Sequence, residues 1–129
     1  MSTISAMEPY VLAAGEGRKY SWHDVVLVMK AAGAETGGAL SLWEVTTRPG
    51  EEPHLHAHDD VHEMFYVLDG EITFTCGDET IAATSGAFVF VPIGTPHTYR
   101  IDTPEVRMLG MSTPSHFGDN VERTGVRLE

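Results

Sequence analysis

The 129-residue sequence predicts an all-β fold of short antiparallel strands, on three observations. From Ala39 to Ser112, β-branched or alternating apolar runs recur roughly every 8 to 12 residues, the interval of a β-sandwich or barrel. The runs are separated by Gly, Pro and Asp turn residues. None keeps a helical period for more than about two turns.

Taken in order, Val25 to Ala31 and Leu40 to Thr47 read as strands, the second ending at Arg48-Pro49-Gly50, where Pro removes a ladder donor and Gly permits the turn. Val61 to Leu68 and Glu71 to Cys76 flank Asp69-Gly70, which predicts a hairpin. Gly77-Asp78 turns into Glu79 to Ala83, and Ser85-Gly86 leads to Ala87 to Val91. Pro92 to Pro96 makes a rigid corner before His97 to Ile101, and Asp102-Thr103-Pro104 turns into Val106 to Met111. Strands joined by such short turns are expected to roll up. The polar flanks, Met1 to Met7 and Ser115 to Glu129, are expected to be arms or partly ordered tails of a single domain spanning residues 1–129, with its core at about 40–112.

Composition narrows the function. Nineteen Asp and Glu against eight Lys and Arg give a formal charge of −11, which disfavours nucleic acid and anionic membranes as partners. The start lacks a basic stretch followed by an apolar run, and no segment reaches about 18 apolar residues, so a soluble, cytoplasmic protein is expected. One cysteine, Cys76, excludes an internal disulfide and reads as a small core residue.

The unusual feature is the histidines. Four of seven, His54, His56, His58 and His62, fall within nine residues, and Glu63 follows directly. His with a carboxylate is the donor set of a transition-metal site. His56 and His58, two apart on an extended strand, point to one face with Cα atoms roughly 6 to 7 Å apart. Glu63 lies at an odd offset from His58, so the chain must turn at Asp59-Asp60 and bring Glu63 back on a neighbouring strand. His97, after its proline corner, is available as a fourth ligand; spacing alone leaves a solvated polar loop and an unrelated histidine as the alternative.

Glycines and ligands together form two patterns: Gly50, His56, His58, Glu63 and Gly70, then Gly86, Pro92, Gly94 and His97. These resemble the two motifs of the cupin superfamily over about residues 40–112, and the local wording is most similar to the quercetin 2,3-dioxygenase group. The resemblance implies a six-stranded β-barrel core within a jelly roll. It also implies one divalent metal ion (Fe, Ni, Mn, Co, Zn or Cu) on His56, His58, Glu63 and His97, and a homodimer. Glu63 would be catalytic, accepting a proton from a phenolic or enolic substrate in an O2-dependent reaction. Similar small cupins of aromatic polyketide pathways are associated with ring cyclisation or oxidation, so a non-redox cyclisation or isomerisation and a non-catalytic binding protein remain open. Where many cupins have Asn, four residues after the last His, this chain has Ile101.

Strand parity places Phe65 and Val67 with Glu63, and Tyr99 and Ile101 with His97, as pocket walls. His54 is a candidate at the mouth; His62 alternates away from the metal, and His23 and His116 carry no motif. Trp43 and Glu44 face opposite ways, and parity alone leaves open which is inside. Arg48 and Arg100 are the cations nearest the motifs, too few to converge on a phosphate or several carboxylates, which favours a neutral or weakly acidic, rather apolar small molecule.

Overall fold

A computed structural model describes residues 7–129. The expected arm at 1–7 therefore lies almost wholly outside the described residues. Ten strands and two short helices follow in the order β1 (Arg18–Trp22), β2 (Val25–Ala31), α1 (Gly33–Thr36), β3 (Ser41–Thr47), β4 (His62–Asp69) and β5 (Ile72–Cys76). Next come β6 (Glu79–Ala83), β7 (Phe88–Val91), β8 (His97–Ile101), β9 (Val106–Thr113), α2 (His116–Thr124) and β10 (Val126–Arg127). Eight of these strands fall within one or two residues of the expected runs.

They form two antiparallel layers: a seven-stranded sheet in the order β10-β1-β2-β3-β9-β4-β7 and a three-stranded sheet, β6-β5-β8. The layers enclose Phe74, Ile72, Val67, Val89, Met108 and Trp43, all nearly fully buried. This is a jelly roll, and the strands do not close into one continuous hydrogen-bonded barrel as a strict six-stranded core would require. Alternation along β4 sets the layering: Glu63, Phe65 and Val67 face inward and are buried, while Met64, Tyr66 and Leu68 face outward.

Three expectations are corrected. Asp69-Gly70 does not join a hairpin, because β4 pairs with β7 and β9 whereas β5 pairs with β6 and β8. It is a corner between sheets. Gly70 has φ 98°, and a Cβ there would meet the Glu105 carbonyl oxygen at 2.6 Å, so the sharp change of layer needs glycine. Second, residues 115–129 are not a tail. They form α2, which buries Gly118 and Val121, and β10, which pairs with β1. Phe117 and Val121, four apart, give α2 an apolar face, and its polar side chains bind elsewhere: Arg18 bridges Glu122 and Glu35, at 2.6 and 2.8 Å. Third, β1 adds a strand that the sequence reading lacked. It joins β2 through a two-residue turn in which His23 and Asp24 both have positive φ, 47° and 69°, the geometry of a type I′ hairpin without its usual glycine.

Candidate metal centre

The histidine segment is not a regular strand. His56 makes a single bridge to His97, and the chain bends at Asp59-Asp60 before β4 begins. Three backbone hydrogen bonds tie this segment to the Pro92–Pro96 corner: His97 N–H donates to the His56 carbonyl at 2.7 Å, His56 N–H to the His97 carbonyl at 3.1 Å, and Gly94 N–H to the His58 carbonyl at 2.7 Å. Residues about forty apart in sequence are thereby held in register, with Thr98 Oγ1 donating to the Pro53 carbonyl at 2.7 Å beside them.

The ligating atoms of His56, His58, Glu63 and His97 lie within 4.8 Å of one another, a spread that one ion can fill. His97 Nε2 is 2.9 Å from Glu63 Oε1, and His58 Nε2 is 3.6 Å from the same oxygen. Two second partners set the tautomers. His56 Nδ1 is 2.7 Å from the His54 carbonyl and His97 Nδ1 is 2.9 Å from the Thr95 carbonyl, and since a carbonyl only accepts, each Nδ1 carries its proton. For His56 the Nε2 is then the nitrogen with a lone pair for a metal, and for His97 it becomes so once the proton it shares with Glu63 Oε1 is released, the outer-shell arrangement that metal-bound imidazoles commonly show.

His58 supplies the decisive test of fit. Its Nε2 is buried and has no hydrogen-bond partner, an unsatisfied polar atom aimed at the carboxylate and the other imidazoles. A buried polar atom without a partner costs about 1 to 3 kcal/mol, and a bound cation relieves that cost. The neighbours also bear on charge. Burial pushes His56 below the ordinary imidazole range against the opposing pull of the His54 carbonyl, keeping it neutral as a ligand must be. Burial acts the same way on His97, but the hydrogen bonds to Glu63 and to the Thr95 carbonyl outweigh it and raise His97.

A cavity of about 370 Å³ opens on these four residues. Its walls include Phe65 and Tyr99, and His54 stands at its exposed mouth. Val67 and Ile101 do not line it. Parity gave their inward direction correctly, but successive inward residues on a strand are roughly 7 Å apart, so these two lie deeper and pack in the core. Trp43 points inward, 2% exposed, and lines the cavity; Glu44 points out toward Arg107. His62 faces away, its Nδ1 accepting the Ile93 N–H, and His116 pairs with Asp60.

Sequence reasoning missed Trp22, His23, Asp24 and Phe117, which complete the cavity from the β1–β2 turn and from α2. No Lys or Arg is among its lining residues; Arg48 and Arg100 pair instead with Glu105 and Asp102.

Residues 43–112 match the family model described as "Cupin domain". The chain is a cupin. It is 35% identical over 101 residues to quercetin 2,3-dioxygenase of Bacillus subtilis, an alignment covering 78% of this chain and 30% of that one. The cupin thus spans less than a third of the length of that relative. Among solved structures it is similar to an RmlC-like cupin of Shewanella frigidimarina (TM-score 0.71, 18% identity, 87% of this chain and 96% of the other). A second neighbour is a predicted oxalate decarboxylase of Thermotoga maritima (TM-score 0.69, 18% identity, 82% and 99%). At such identities these two neighbours bear on the fold alone. No helix among the described residues is long and apolar enough to cross a membrane.

Proposed function

We propose that this cupin is a metal-dependent oxygenase of the quercetinase type, acting with O2 on a small, rather apolar phenolic or enolic molecule. The observation that carries the reading is the convergence of three imidazoles and a buried carboxylate at one end of an aromatic cavity. Kinship with quercetin 2,3-dioxygenase supports the reaction class. The lining supports the substrate class: Trp22, Trp43, Phe65, Tyr99 and Phe117 offer ring surfaces, and the absence of Lys and Arg leaves a phosphate or dicarboxylate without a counter-charge.

His56, His58, Glu63 and His97 would hold the ion. When bound, it supplies a Lewis-acidic centre that stabilises a deprotonated substrate oxygen and, if redox-active, a route for electrons to O2. The protein's own contribution is distinct. Glu63 stands on β4, 3% exposed, with one carboxylate oxygen engaged by His97, and takes the proton that the substrate hydroxyl releases. The aromatic walls orient a planar ring and keep bulk water from the reacting carbon. Tyr99 is held in its neutral form by burial and by the nearby Glu63, Glu52 and Glu51 carboxylates, so it can donate a hydrogen bond but does not compete as a base.

The test is elemental analysis of protein purified without added metal, followed by O2 uptake with flavonols and other polyphenols. Turnover that needs O2 and falls at least 100-fold in Glu63→Gln, the usual scale of a lost general base, is the expected result. Equal turnover under anaerobic conditions with Zn2+ would instead assign a non-redox cyclisation or isomerisation, and undiminished turnover of Glu63→Gln would remove the carboxylate from the chemistry.

A further inference from the structure

Two of the three imidazoles in the tetrad are oriented by a backbone carbonyl on Nδ1; His58 is not. Among the described residues it has no hydrogen bond through either ring nitrogen. Something else must fix its ring, because an imidazole free to rotate would present Nε2 to the other ligands only part of the time. Beside the tetrad's own His56 and His97 rings, whose centroids lie 5.0 and 5.6 Å away, the ring packed against it is Phe117, edge to face, with centroids 5.6 Å apart and planes at 80°.

Phe117 is itself tightly placed. It stacks on Trp43 at 4.6 Å and 29°, and meets Trp22 edge-on at 5.3 Å. Trp43 in turn lies across Gly110, its register partner on β9, where any Cβ would collide with the indole. The next residue, Gly118, lets α2 approach β3 closely: its N–H donates to Ser41 Oγ at 3.0 Å, and a Cβ there would strike Ser41. Trp22 Nε1–H donates to Thr124 Oγ1 at 3.1 Å, fastening the far end of the helix. A continuous packed path thus runs from Gly110 through Trp43 and Phe117 to His58.

We infer that Phe117 is the positioning residue for His58, taking the part that a backbone carbonyl plays for His56 and His97, so that the C-terminal helix is a working component of the metal centre. The inference rests on the reading of His58 as a metal ligand. Its substance is that α2, outside the span that matches the family model, sets how well the fourth donor is presented.

The experiment measures Co2+ affinity by competition with a chromophoric chelator, together with the d–d absorption of bound Co2+. It compares the wild type, Phe117→Leu, Phe117→Tyr, His58→Ala and the double variant Phe117→Leu/His58→Ala. Loss of a group that orients a ligand typically weakens metal binding about 10- to 100-fold, and Phe117→Leu is expected to fall by about 10-fold with altered d–d bands. Phe117→Tyr, which keeps the ring, is expected to stay within about twofold of wild type, well short of that loss. If Phe117 acts through His58, Phe117→Leu costs nothing further once His58 is alanine. In the metal-free protein, the ring-proton resonances of His58 should shift in Phe117→Leu while those of His56 and His97 stay put. Phe117→Met, of similar reach, carries the same readings should leucine loosen α2. Wild-type affinity in Phe117→Leu, or equal losses with and without His58, overturns the inference alone; failure of the wild type to bind Co2+ overturns the metal reading beneath it.

Discussion

Glu63 Oε1 lies 2.9 Å from His97 Nε2, and the two residues belong to different sheets, β4 in the seven-stranded layer and β8 in the three-stranded one. An ion held by both therefore clamps the two layers, and whatever binds only the folded state stabilises it by mass action.

Thermal unfolding with Ni2+ or Co2+ should consequently occur at higher temperature than with a chelator. At a free ion concentration 100 times its Kd the gain is about 2.7 kcal/mol. Glu63→Gln should lose most of this increase, since it removes the anionic ligand, and so should acidification, which protonates the imidazoles. An unfolding temperature indifferent to metal and chelator would contradict the clamp.

Acid should loosen the segment that carries His54 and His56 through a group outside the metal set. Glu52 Oε2 accepts the Ile101 N–H at 3.2 Å and Oε1 accepts the Gly50 N–H at 2.7 Å, and these backbone donors, Ile101 first, hold its carboxyl below the usual range. A carboxyl with a depressed folded pKa contributes stability above its unfolded value, about 4.5, and loses it as pH falls through the folded one. In chelator, Glu52→Gln should unfold at a temperature less dependent on pH between about 5 and 3 than wild type. Parallel profiles would show that the two hydrogen bonds carry no linkage.

Alkali should act through Tyr99. Its phenol is raised well above the ordinary value, by burial first and then by Glu63, Glu52 and Glu51. Unfolded chains release this proton near pH 10 and the folded chain retains it, so folding stability declines as pH rises past about 10. Ultraviolet titration of native protein should show a late-ionising tyrosine that disappears in Tyr99→Phe.

Gly110→Ala should be costly although glycine to alanine in a strand is ordinarily mild. The added methyl would occupy the space of the Trp43 indole. Overpacking of this kind costs roughly 1 to 3 kcal/mol, visible as a lower urea midpoint with altered tryptophan fluorescence. Unchanged fluorescence would mean that Trp43 moves without consequence.

Much of this was legible beforehand because strands of period two and their turns are local. Eight strands could be read from alternation and from Gly, Pro and Asp, and the tetrad followed from spacing within His56 to Glu63 and from the two motifs. What escaped depended on distant partners. Asp69-Gly70 has hairpin chemistry, yet the pairing edges of β4 are both taken by β7 and β9, so the same turn residues serve a corner. β1 escaped because His23-Asp24 reaches positive φ without glycine. Trp22 and Phe117 meet only through tertiary packing of the two flanks, and no spacing rule links them.

The cavity lining without Lys or Arg has a kinetic side. In a chain of net charge −11, with Asp24, Glu51 and Glu52 lining the cavity, the field at the mouth draws dications inward and slows anions, and leaves uncharged molecules to diffuse unaided. Loading of the ion should therefore slow as ionic strength rises and the Debye length shrinks toward about 8 Å, while entry of a neutral ring should not change. Metal and substrate would arrive by one doorway under different rules of traffic.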